Sequence, residues 1–188
     1  MAALFALFFI VDVEFYGISF GLDDLKGNKY TNGILVGCAD IVSCTLLGLF
    51  ADRFGRKGAM MFSSLAFAIP ALVYDLASLQ DSISYGLLAV TRMGAAASFA
   101  IAYLFAQESY PTEVRGTIFG IANAFARLGG AFAPLVITLI PRFMLVLSGM
   151  AFVAFFLAIV MRETKGLQME DYVVEPNIPR SSVRSSAG

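Results

Sequence analysis

The chain has 188 residues, of which 59 % are hydrophobic and only 14 % charged, with 18 Phe, 17 Gly and a formal net charge of −1. Its mean hydropathy of +0.78 exceeds what a soluble domain of this size can bury, so the solvent is a bilayer. The sum of charge says little in a membrane protein, where its distribution matters. Without histidine there is no imidazole for a metal site or relay, and no nucleic-acid partner is expected.

Six apolar stretches follow in order, near 2–20, 32–50, 58–77, 84–106, 116–138 and 141–161. Each is long enough to cross about 30 Å of hydrocarbon as a helix. The first carries Asp12 and Glu14 and lacks a basic lead-in, so it is expected to be a span and not a signal peptide. The joints are Asp23-Asp24 with Lys26-Gly27-Asn28, the decapeptide from Gly48 to Lys57, Gln80-Asp81-Ser82, the run from Glu108 to Gly116, and Pro141-Arg142. The expected membrane domain is 1–166. The polar segment 167–188, with Pro176, Pro179 and several serines, should not fold alone. Cys38 and Cys44 lie six apart in one span, on different sides of a helix, so no disulfide is expected between them.

Basic residues set the orientation. Arg53, Arg56, Lys57, Arg115, Arg162, Lys165, Arg180 and Arg184 fall on one side, against Lys26, Lys29 and Arg142 on the other. Both termini are therefore expected on the cytoplasmic side of a plasma membrane, or on the matrix side of a mitochondrial inner membrane. Arg92 and Arg127 remain inside spans, with the acids Asp12, Glu14 and Asp40. A charge at that depth costs roughly 2.5–3.5 kcal/mol on insertion scales, so each needs a partner or a water-filled cavity. Asp12 and Glu14 are about 200° apart on a helix, so at most one can face a common cavity.

Helical spacing groups these charges with other residues. One face of the fifth span holds Gly116, Gly120, Asn123, Arg127, Gly130 and Pro134. One face of the fourth holds Arg92, Ala96, Phe99 and Tyr103, and one face of the second holds Gly33, Gly37, Asp40, Cys44 and Gly48. Small residues along a seam predict close helix approach, and Gly129-Gly130 with Pro134 predict a loosened helix beyond Arg127. Spans three and six, with Phe62, Phe67, Phe152, Phe155 and Phe156, read as the lipid side.

Gly48-Leu-Phe-Ala-Asp-Arg-Phe-Gly-Arg-Lys57 resembles the signature loop of the major facilitator superfamily of secondary transporters. Glu108-Ser-Tyr-Pro-Thr-Glu-Val-Arg115, Ala126-Arg-Leu-Gly-Gly130 and Phe15-Tyr16-Gly17-Ile18-Ser19 resemble its organic cation and anion transporter family. Glu163-Thr164-Lys165-Gly166 is similar to the close of the last helix there and in sugar porters. The resemblance runs from about residue 8 to 172 and implies an all-α membrane protein, with six transmembrane helices forming the C-terminal half of a twelve-helix fold. It implies transport of small organic ions by alternating access, with no enzymatic chemistry and no cofactor. Phe15, Tyr16, Arg92, Phe99, Asn123 and Arg127 are the expected substrate-binding residues. Arg127 points toward anions, being at a position usually basic in the organic-anion members. Asp52, Arg53, Arg56, Glu108, Arg115 and Glu163 are the expected gating charge cluster.

Asp12 and Glu14 depart from the neutral residues of that family. The expected partners are the lipid bilayer and a second six-helix half or other membrane subunits. A half-length chain leaves three accounts open: a fragment, a half completed by a partner, or a non-transporting accessory subunit of a larger membrane complex. The opening Met-Ala-Ala favours a natural short chain.

Overall fold

The computed structural model describes residues 2–77, 80–110 and 112–161, apart from the side chains of 47–50, 52, 81 and 112. Glu163, the segment 167–188 and the side chain of Asp52 therefore lie outside the described residues. All regular structure among these residues is helical. Helix α1 spans Ala2–Phe20 and runs into a 3-10 turn at Gly21–Asp23. Helix α2 spans Lys29–Leu76, α3 Asp81–Glu108, α4 Thr112–Leu139 and α5 Phe143–Val160.

The second and third expected spans are thus one 48-residue helical element, interrupted at Gly55. Gly55 has φ 81° and ψ 166°, a conformation essentially closed to residues with a Cβ. It separates α2 into two limbs, 29–54 and 56–76. By length and hydropathy, five helices among the described residues can cross a membrane, including Arg53–Leu76 from the second limb. The other helices also overrun their apolar cores: α3 begins at Asp81 and α4 at Thr112. Polar residues at a membrane face are tolerated in a helix, so hydropathy alone underestimates its length.

The break is held from both flanks. Arg56 donates Nε and Nη2 to the two carboxylate oxygens of Glu108, each at 2.8 Å, and Nη1 to the Ala51 carbonyl at 3.1 Å. Lys57 Nζ donates to the Ile159 carbonyl. Adjacent residues thus fasten the joint to the ends of α3 and α5, and both satisfy carbonyls that a helix C-terminus leaves orphaned. At the opposite membrane face, Asn28 caps α2 by accepting from the Tyr30 amide at 2.9 Å. There Lys26 N–H donates to Tyr74 Oη at 2.8 Å.

Helix α1 packs against α4, α3 and α5, while α2 packs against α3 and α5. Two apolar clusters are stacked along the bundle. One contains Leu4, Leu7, Phe8, Ile101 and Phe105; the other contains Val13, Ile18, Phe67, Leu88, Phe143 and Leu147. In lipid this packing rests on dispersion and close fit, since the surroundings are as apolar as the core. The tight crossings use glycine. A Cβ on Gly94 would lie 2.6 Å from the Phe67 backbone nitrogen, and one on Gly129 would lie 2.3 Å from the Phe9 carbonyl oxygen. Gly129 thus serves the α1–α4 crossing, and α4 continues unbroken through Pro134 to Leu139.

Two expectations change. Gly33, Gly37, Gly116 and Gly120 meet nothing within 4 Å, whereas Gly130 of the same α4 stripe rests against Asp12 and Tyr16. These four glycines are therefore not at helix crossings among the described residues. Phe67 is fully buried, whereas Phe62 and Phe156 are exposed. The third span turns one face to the core and only the other outward.

Candidate functional site

One face of the bundle gathers the aromatic and charged residues of α1, α3 and α4. It starts from the 3.6-residue repeat of α3, which puts Phe99 and Tyr103 one above the other. Their rings stack at 4.8 Å and 29°. Phe15 of α1 lies 4.9 Å from Phe99, and Tyr103 lies 5.5 Å edge-on to Phe119 of α4. Phe15 meets Tyr16 at 5.6 Å, and Tyr16 stacks on Phe20 at 5.8 Å. The result is a continuous aromatic strip across three helices. Its polar atoms are few and fixed: Tyr103 Oη donates to Asn123 Oδ1 at 2.8 Å, and Arg127 Nη1 donates to Tyr16 Oη at 3.1 Å.

The six expected binding residues converge here, but the two arginines differ. Arg92 has a side chain 3 % exposed and is paired with Asp40. Its Nε and Nη2 donate to the Asp40 carboxylate at 2.7 and 2.8 Å. Its Nη1 donates to the Phe15 carbonyl at 2.7 Å and to Ser19 Oγ at 3.0 Å. The guanidinium carbon stands 3.8 Å from the centre of the Phe15 ring. Four of its five N–H donors are thus committed to the bundle, and its charge is already met by the Asp40 carboxylate. Its contribution is to hold Phe15 in place. Arg127 instead is exposed, and among the described residues its hydrogen-bond partner is the neutral Tyr16 hydroxyl.

Sequence reading left Tyr103 and Asp40 out of the site. Tyr103 shares the Phe99 stripe, so its position was available from spacing alone. Asp40 was visible as an intramembrane acid, but spacing along one helix does not say which arginine of another helix it meets.

The expected charge cluster is described in part. Arg56 and Glu108 form the bidentate pair given above, Arg115 Nε donates to the Tyr110 carbonyl at 3.2 Å, and Arg53 is exposed at the same end. Below the aromatic strip, α1 buries two acids. Asp12 is 1 % and Glu14 0 % exposed, and among the described residues Asp12 Oδ2 and both Glu14 oxygens have no hydrogen-bond partner.

A multi-pass helical bundle with a broken, basic helix joint and an aromatic strip carrying one open arginine has the build of a secondary transporter domain. The model of the Major Facilitator Superfamily matches residues 1–134, and the chain belongs to that superfamily as an integral, multi-pass membrane protein. It is similar to solute carrier family 22 member 7 of Sus scrofa, 31 % identical over an alignment 190 positions long that covers 96 % of this chain and 34 % of that protein. It is also similar to human solute carrier family 22 member 13, 27 % identical over 89 % of this chain and 31 % of that protein. A Drosophila melanogaster organic cation transporter protein is 28 % identical over 70 % of this chain and 24 % of that protein. The chain spans about a third of the length of the first two of these relatives.

Proposed function

We propose that this chain forms the C-terminal six-helix half of a transporter for small organic ions, with a preference for anions, working by alternating access. A second half, on the same or another chain, faces the α1–α3–α4 strip, and the Gly55 joint and both termini lie on the cytoplasmic side. The observation that carries this reading is the open guanidinium of Arg127 beside Tyr16, at the edge of an aromatic strip. Aromatic faces accept the flat apolar body of an organic ion, and a cation without a carboxylate partner selects a negative headgroup. The name of the Drosophila relative supports the organic-ion class, and the sign of Arg127 supports the anion.

The test is uptake by the native membrane assembly that contains this chain, reconstituted in liposomes. An aromatic carboxylate should enter in a saturable manner, a quaternary ammonium of similar size should not compete, and Arg127→Ala should abolish uptake at an unchanged protein level. Preference for the quaternary ammonium would reverse the anion reading. Absence of uptake of either probe would end the transport reading.

A further inference from the structure

Asp12 lies within the same wall as Arg127. Its side chain is buried and, among the described residues, Oδ2 has no donor. That oxygen rests against Gly130: a Cβ there would lie 3.1 Å from Asp12 Oδ2 and 3.1 Å from Tyr16 Cδ2. Gly130 follows Arg127 by less than one helical turn, and Tyr16 is the residue whose hydroxyl Arg127 touches. Asp12, Tyr16 and Arg127 therefore lie together at the contact between α1 and α4.

The other groups around Asp12 cannot replace Arg127. From α3, Tyr103 donates its hydroxyl to Asn123, and Arg92 is committed to Asp40. Helix α5 has no titratable residue between Phe143 and Val160. On α1, Glu14 is about 200° away from Asp12, toward the side where Gly17 meets Leu147. At the level of Asp12, α4 contributes Arg127 as its ionisable group.

An ionised carboxylate without a donor is costly in a membrane interior. Asp12 has two ways to avoid that state: it binds a proton, or it draws the long Arg127 side chain inward as its counter-ion. We infer that Asp12 and a bound anion compete for Arg127, so that binding of the anion is accompanied by uptake of a proton on Asp12. This inference rests on Arg127 being the anion site. The proton comes from the aqueous phase and returns there when the anion leaves and Arg127 turns back. Proton and anion therefore favour each other's binding, and by linkage the anion binds more tightly as pH falls.

The experiment uses an aromatic sulfonate, whose own charge is constant with pH, and the reconstituted native assembly at equal pH on both sides. Between neutral and mildly acidic pH the half-saturation concentration should fall by at least about 5-fold, with about tenfold per pH unit as the limit for one linked proton. Asp12→Asn should bind tightly and independently of pH, Asp12→Glu should keep the dependence, and Glu14→Gln should leave it as in the unaltered protein. A pH-independent parent, or an Asp12→Asn variant with the parent's pH profile, overturns the inference. Infrared spectroscopy gives a readout that needs no transport. The carboxylic-acid carbonyl band lost in Asp12→Asn should persist to higher pH in Arg127→Ala. Absence of uptake with that shift present rejects the transport reading and upholds the pair; absence of the shift rejects the pair whatever the uptake.

Discussion

Helices α3 and α4 are both 28 residues long and each carries one arginine well inside its span. Their situations diverge because of what stands opposite. Half of the α3 span is buried, against 22 % of the α4 span. Arg92 on α3 meets Asp40, the Phe15 carbonyl and Ser19, and becomes part of the scaffold. Arg127 on α4 meets only the rim of that scaffold, through Tyr16. An intramembrane arginine is thus structural or available according to whether a carboxylate on a neighbouring helix reaches it, and not according to its depth.

The largest expected break in this comparison is Asp40→Ala. It leaves the buried Arg92 charge without its partner and should destabilise the bundle by about 3–5 kcal/mol, seen as a large loss of folded protein in a detergent melting assay. Replacing both residues together, as Asp40→Leu with Arg92→Leu, should recover most of that loss; a double variant as unstable as the single one would mean that the pair is not the cause. Gly94→Ala comes next, because its Cβ must displace the Phe67 backbone, an overpacking penalty of about 1–3 kcal/mol. Gly120→Ala, on the open face of α4, should leave the melting temperature unchanged or raise it slightly. Equal effects at the two glycines would contradict the assignment of inner and outer faces.

Smaller still, Glu108→Gln weakens a bidentate pair that is partly solvated, at 16 % and 26 % side-chain exposure, and should cost about 1 kcal/mol or less. Smallest in stability is Arg127→Ala, with no measurable change in melting temperature. A pronounced destabilisation there would make Arg127 a second scaffold arginine and remove the contrast with Arg92.

Much of the fold was legible from composition and spacing, because apolar runs of span length in lipid have few alternatives to helices. Gly55 was legible as a turn residue, and the Arg56–Glu108 end contact could be expected from charges collected on one membrane face. The stripes of the second and fifth spans meet the bundle in part only, through Asp40, Asn123 and Gly130. A row of Gly33 and Gly37, or of Gly116 and Gly120, says that something comes close, not whether that neighbour belongs to the same bundle. The same gap affected the charges. Asp12, Glu14 and Asp40 offered three acids for Arg92 and Arg127, and their pairing depends on interhelical register, which a period of 3.6 residues along one helix does not contain. Tyr103 was the exception, readable from its place one turn beyond Phe99.

The burial of Asp12 and Glu14 has a consequence for biosynthesis. Helix α1 shelters both carboxyls against α3, α4 and α5, all of which follow it along the chain. While the ribosome is still translating α2, the segment must leave the translocon with two acids near its centre, each adding about 2.5–3.5 kcal/mol to insertion at that depth. Its Leu, Ile and Phe residues offset this only in part, so α1 is expected to linger at the translocon or its chaperones until α4 emerges.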